Sequence, residues 1–172
     1  MIRSLRANAS GRRRLGALAG AMLVLGAGGV ACSQEQGVAP PKDTIFARKI
    51  LMDTISSNMD EIETMTGSPA KIPLGEAREH ADVISVMLQA FPHLFPAATN
   101  QWKPNVERDA GTDTFASPDV WTRFADFYKR AEGASKIALK ASRTESESEF
   151  RALVTELRTA CDSCHAAYQK PD

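Results

Sequence analysis

The chain is poor in the residues that build ligand sets and reactive centres. Its 172 residues include three cysteines, three histidines, two tryptophans and two tyrosines. No second Cys or His pair exists to complete a four-ligand structural zinc site. No nucleophile stands beside a matching base, so hydrolytic catalysis is not expected and the chain reads as a non-enzyme. Net charge is also missing, because 21 basic residues offset 21 acidic ones. No basic patch is interleaved with aromatics, which argues against a nucleic-acid partner. Nor is there any run of alternating apolar and polar residues, so strands are not expected.

What is present begins with an export pattern. Arg3, Arg6, Arg12, Arg13 and Arg14 precede the uncharged run LGALAGAMLVLGAGGVA, Leu15 to Ala31. A positive start, an apolar stretch and a small-residue end form the layout of a signal peptide over residues 1–31. At about 17 residues with many Gly and Ala, the run is short and weakly apolar for a bilayer span. Without this segment and its five arginines the chain has 16 basic and 21 acidic residues, formally −5. Cys32 follows directly, and "VAC" resembles a bacterial lipoprotein box, with Gly29 where leucine is usual. A lipid on Cys32 would tether the protein to a membrane and remove an unpaired thiol from an oxidising compartment. Residues 32–42, polar with Pro40 and Pro41 adjacent, read as a flexible tether.

From residue 43 to 172 the pattern is helical. Ile45, Arg48, Met52, Ile55, Met59 and Ile62 recur at steps of three and four between about Asp43 and Met65, a bundle-forming stripe with one arginine in it. Ala77, Ala81, Ile84, Leu88 and Phe91 mark a second helix from about Gly75, stopped by Pro92 and Pro96. The connection AATNQWKPNVERDAGTDTFA is long for a bundle, so it is either functional or wraps over something. A third helix opens with Ser117 as N-cap and Pro118 at the first position, and Trp121, Phe124, Tyr128, Ala131, Ser135 and Ala138 share a face. The fourth begins at Thr144 with Glu147 as a capping box, and its stripe runs through Phe150, Leu153, Leu157, Cys161, Cys164 and Tyr168. Four such helices predict an all-α, antiparallel four-helix bundle.

The last helix contains CDSCHAAYQK. Cys161 and Cys164 are three residues apart and face one way, with Cβ atoms roughly 5 to 6 Å apart. His165 shares that side. C-x-x-C-H is the attachment signature of haem c: two thiols add across the haem vinyl groups and the imidazole binds the iron. Other readings compete. A redox C-x-x-C pair normally sits at a helix start beside a strand, and a structural disulfide leaves the histidine without a role. Export agrees with haem, since haem c is attached outside the cytoplasm. His80 beside the second stripe and His93 between prolines read as packing or surface residues.

These residues also carry a resemblance. From about 43 to 170 the chain resembles the cytochrome c prime family through RKILM, FPHLFP, VWTRFADFYKRA and CDSCHAAY, in that order. The resemblance implies one covalent haem c on Cys161 and Cys164, with His165 as axial ligand. It also implies that Arg48 contacts a haem propionate, that Trp121 and Phe124 lie near the haem, and that two copies pair through the first two helices. An arginine that snorkels to water, and aromatics that are simply core, are the alternatives. Met52, one turn after Arg48, falls where the family has either a blocking apolar residue or a methionine that binds iron. Ligation favours one-electron transfer with a redox partner protein in the periplasm. Its absence favours binding of nitric oxide or carbon monoxide by five-coordinate iron. A non-haem thiol protein is the third reading. Gln169 stands where the family usually has a basic residue. For the tether, the mature N-terminus is expected to be a lipid-modified Cys32 by mass spectrometry, with globomycin-sensitive processing; an unmodified N-terminus beyond Cys32 would reject the anchor.

Overall fold

Two prolines set where the first helix starts. The helix α1 spans Pro41–Gly67, with Pro40 as cap and Pro41 at the first helical position. Proline loses nothing there, because that N–H has no partner inside the helix, and the ring presets the helical φ. The start is therefore two residues ahead of the expected Asp43. The computed structural model describes residues 39–68, 70–107, 109 and 113–170. The expected signal segment, Cys32 and residues 33–38 lie outside them. The chain divides into Met1–Gln36 and Gly37–Asp172, and the described residues belong to the second unit.

The stripe on α1 buries Ile45, Arg48, Ile55, Met59 and Ile62, while Met52 is half-buried. α2, Leu74–Ala90, buries Ala77, Ala81, Ile84, Ser85 and Leu88. Pro92 cannot supply a helical N–H, and the chain tightens into a 3-10 turn over Phe91–Leu94.

The third predicted helix is broken in two. A short α3, Asp119–Thr122, is separated from α4, Phe124–Arg143, by Arg123 at φ −123° and ψ 35°. The cap of α3 is Pro118 rather than the expected Ser117, although Ser117 Oγ accepts from Asp119 N at 3.1 Å just ahead of the helix. The break resets the helical phase. Ala131, Ser135 and Ala138 are buried as expected, but Phe127 takes the inward place at 2% exposure, and Phe124 and Tyr128 stand 39% and 40% exposed. Both Phe127 and Tyr128 lie within a turn of Ala131, so spacing alone did not separate them.

α5 spans Glu147–Tyr168, and its cap lies two residues beyond the expected Thr144. Ser146 is the N-cap and accepts from Glu149 N. Thr144 donates its hydroxyl to the Glu149 carboxylate at 2.7 Å. The repeated segment TESESE offers a cap in two registers; the later one is taken, and Ser146 N donates to Thr144 Oγ1 at 3.2 Å in place of the reciprocal bond of the expected box.

α1, α2, α4 and α5 form an antiparallel four-helix bundle. α4 packs closely on α2 through small residues, where Ser135 Oγ donates to Ser85 O at 2.9 Å. The Tyr168 hydroxyl donates to Asp126 at 2.5 Å and ties α5 to α4, and Arg130 Nε donates to the same carboxylate from within α4 at 2.8 Å. These bonds hold the Asp126 carboxyl below its ordinary pKa, the Tyr168 bond contributing most. By contrast α1 meets α5 in few places.

The core is in two parts. One gathers Ile55, Met59, Ile62, Ile84, Phe150 and Leu157 among others; the second is Phe95, Val120, Phe127 and Tyr168. A side chain such as Phe150, fully buried, contributes about 1.5–3 kcal/mol by leaving water. Phe46 and Ile50 on α1, and Val83 and Val86 on α2, stay exposed, on the two helices through which the resemblance implies pairing. Besides helices, the described residues contain one isolated β-bridge, Ala116 to Gln169.

Candidate haem site

Between the two parts of the core lies a cavity of about 450 Å³, within the usual range for cofactor pockets of roughly 300–1,000 Å³. Cys161 packs against the first cluster and Cys164 against the second. Their spacing of three residues on α5 therefore spans the gap. His165 lines the same cavity at its open side. Met52 lines it from α1, brought there by the helical repeat that places it one turn after Arg48. Ile55, Leu88, Phe91, Phe127 and Ala131 supply apolar wall.

Burial decides the state of the two thiols. It raises the Cys161 pKa and pushes Cys164 up to about 11, against the opposing pull of Arg158 and Arg130 respectively. Both cysteines are free. A dithiol redox centre needs a thiol that ionises readily, so these protonated, half-buried sulfurs suit that reading poorly. They suit addition to an apolar vinyl group held in the cavity. Burial also lowers the His165 pKa, which favours the neutral imidazole that binds metals. That effect is partial, because the ring remains exposed at the rim.

Arg48 is 4% exposed. Its NH1 donates to Thr99 Oγ1 at 2.9 Å and to Leu94 O at 3.4 Å, and its NH2 donates to Thr99 O at 3.4 Å and to Thr114 Oγ1. The guanidinium also lies 4.6 Å from the centre of the Phe95 ring. Every one of these partners is neutral, and none of the ion pairs among the described residues includes Arg48. Desolvation without an anion lowers its pKa to about 10. A buried cation in the wall of a cavity, satisfied by hydroxyls and carbonyls yet unpaired in charge, fits an acidic group on whatever fills the cavity. Two thiols, an imidazole, a thioether and this cation together fit a haem.

A family model described as Cytochrome C' matches residues 43–169. The chain belongs to the cytochrome c' family. Members carry one covalently bound c-type haem, and so does this chain. Cytochrome c' from Rubrivivax gelatinosus is 23% identical with a TM-score of 0.65, over 77% of this chain and 98% of that one. The nitric oxide complex of a variant cytochrome c prime from Alcaligenes xylosoxidans is 18% identical with a TM-score of 0.64, over 77% of this chain and 98% of that one. Oxidized cytochrome c556 from R. palustris is 18% identical with a TM-score of 0.63, over 76% of this chain and 98% of that one. These likenesses show a shared four-helix fold. A search of curated proteins finds no match.

In this cytochrome c' the predicted site residues divide. Cys161, Cys164, His165, Arg48 and Met52 meet at one cavity. Trp121 and Phe124 do not line it. Trp121 Nε1 donates to Phe95 O at 3.0 Å and braces the 3-10 turn, and Phe124 lies outside Phe127 with ring centres 6.0 Å apart. Phe95 and Phe127, 4.8 Å apart, are among the aromatics that do line it. Thr99 and Thr114 could not be picked out beforehand, since both sit in the long connection without periodicity. His80 pairs through Nδ1 with Asn58 Oδ1 at 2.7 Å, and His93 is exposed beside Tyr128; neither reaches the cavity.

Replacing Arg48 by Met is expected to cost the haem-bound protein about 3–5 kcal/mol, the scale for breaking a buried charge pair. The haem-free Cys161→Ala/Cys164→Ala chain should lose distinctly less. Equal losses in the two denaturant titrations would show that no anion faces Arg48 in the filled cavity.

Proposed function

We propose that this family member is an exported one-electron carrier, with haem held by thioether bonds to Cys161 and Cys164 and iron bound between His165 and Met52. The observation that carries the reading is the placement of Met52: it lines the cavity from α1, while the C-x-x-C-H side chains line it from α5. Met59 is the other methionine in the wall, but it is 2% exposed and fixed in the core. Met52 is half-buried, and its unbranched thioether adapts to the space available.

Bound haem supplies a one-electron iron couple. The chain's own residues do the rest. Met52 offers a soft, neutral donor, which favours the reduced metal and raises the potential. Ile55, Leu88, Phe91 and Phe127 exclude water from that side, and a dry wall acts in the same direction. Arg48 would balance the charge of an acidic group on the bound haem. The arginine-rich start and apolar run of residues 1–31 support export to the periplasm. Cys32 supports a lipid tether there. Among the described residues no helix is long and apolar enough to cross a membrane.

The absorption spectrum tests the distal side. The purified protein is expected to be low-spin with methionine-ligated iron. Met52→Ala should turn it high-spin and lower its potential, while covalent attachment persists. A wild-type spectrum already high-spin in the ferrous state, shifting readily with carbon monoxide, would reject electron transfer in favour of gas binding.

A further inference from the structure

The cavity opens between α1 and α5. Its solvent-exposed rim residues are Asp53 and Ser56 on α1, and His165 and Gln169 at the end of α5. The backbones of these two helices approach each other in few places, and core side chains of both share one apolar cluster between them. A polar link at the edge of that cluster also joins them. Arg158 on α5 donates from Nε to Glu63 Oε1 at 2.6 Å and from NH2 to Glu63 Oε2 at 2.5 Å. Asp60 lies farther off, at 3.9 Å. Among the described residues no other ion pair links the two helices. Nearer the start of α5, Arg151 donates to Thr66 O and to Ala70 O, pinning the far end of α1 and the turn after it.

The position of Arg158 gives this pair its interest. It is a wall residue of the cavity, three residues before Cys161 and therefore one turn from the attachment site. Glu63 lies one turn beyond Met59 on the helix that carries Met52, about 16 Å along the axis from Met52. Two parallel bonds between a guanidinium and a carboxylate fix orientation as well as distance. The side chains are 37% and 38% exposed, so the pair contributes little energy to the fold. Its contribution is geometric.

We propose that Glu63 and Arg158 form a positioning clamp: they set the spacing of α1 and α5 at the closed end of the haem slot, and with it the reach of Met52 and the width of the mouth. The clamp rests on the haem placement and the Met52 role given above. With the clamp intact, α1 is held so that Met52 faces the iron and external diatomic ligands enter slowly. With it broken, α1 swings about the Arg151 end, and the mouth between Asp53 and His165 widens.

The test uses holoprotein carrying Glu63→Arg, Arg158→Glu, or both. Carbon monoxide association is measured by flash photolysis in a Met52→Ala background, so that the outcome does not depend on Met52 ligation. Each single change is expected to speed association about three- to fivefold, the weight of one exposed ion pair, and the swapped pair to restore the parent rate. Amide exchange across Ser56–Ile62 should rise in each single variant and return in the swap. Should the swapped protein not fold by circular dichroism, Glu63→Gln replaces it, with an expected intermediate rate. Single variants that fold but keep the parent rate and exchange, a swap that fails to restore them, or a Glu63→Gln rate equal to the parent would each overturn the clamp. The same variants with Met52 present separate the two ideas. A low-spin fraction that falls with the clamp supports both, whereas a parent protein lacking low-spin iron rejects Met52 ligation alone.

Discussion

The buried guanidinium of Arg48 organises one end of this bundle. A charge at 4% exposure with neutral partners needs all of its donors satisfied. The chain answers from two distant places, the turn at Leu94–Thr99 and the strap at Thr114. The long connection therefore cannot be loose at either end. Its later part continues across the cavity and meets the end of α5, where Ser117 N donates to Tyr168 O at 2.8 Å and Lys170 N to Phe115 O at 2.9 Å. One cation thus links the helix bearing Met52 to the residues that follow His165. An acidic group in the cavity would complete the charge balance that this network leaves open.

The divided core follows from the same requirement. A continuous apolar interior would fill the space beside Arg48 and bury its charge for nothing. Instead one cluster closes the lower bundle and an aromatic cluster of Phe95, Val120, Phe127 and Tyr168 closes the upper part. Cys161 and Cys164 each touch a different cluster, so a group joined to both sulfurs ties the two halves together. Folding and haem attachment are expected to be linked for this reason, as they are wherever a bound group replaces missing core.

Much of this was visible in the residues. The α1 stripe and its single arginine appeared as a period of three and four, because one-sided burial enforces that period. The attachment motif stood out because its three residue types carry chemistry at a fixed spacing. Other features depend on contacts remote in sequence. Phe127 rather than Tyr128 faces inward because the helix breaks at Arg123, and nothing in VWTRFADFYKRA announces the break. Thr99 and Thr114 matter only because Arg48 reaches them. Glu63 and Arg158 are 95 residues apart, and each reads alone as an ordinary surface charge.

The central claim is that the last helix carries the haem through both sulfurs, inside the cavity that Arg48 and Met52 complete. Mass spectrometry after trypsin addresses it directly, because cleavage after Arg158 isolates both cysteines and His165 in one peptide, Lys170 being protected by the proline after it. The peptide 159–172 is expected to carry the mass of a single haem, retained through acid-acetone extraction. Recovery of that peptide unmodified, or with Cys161 and Cys164 joined as a disulfide, would contradict the account.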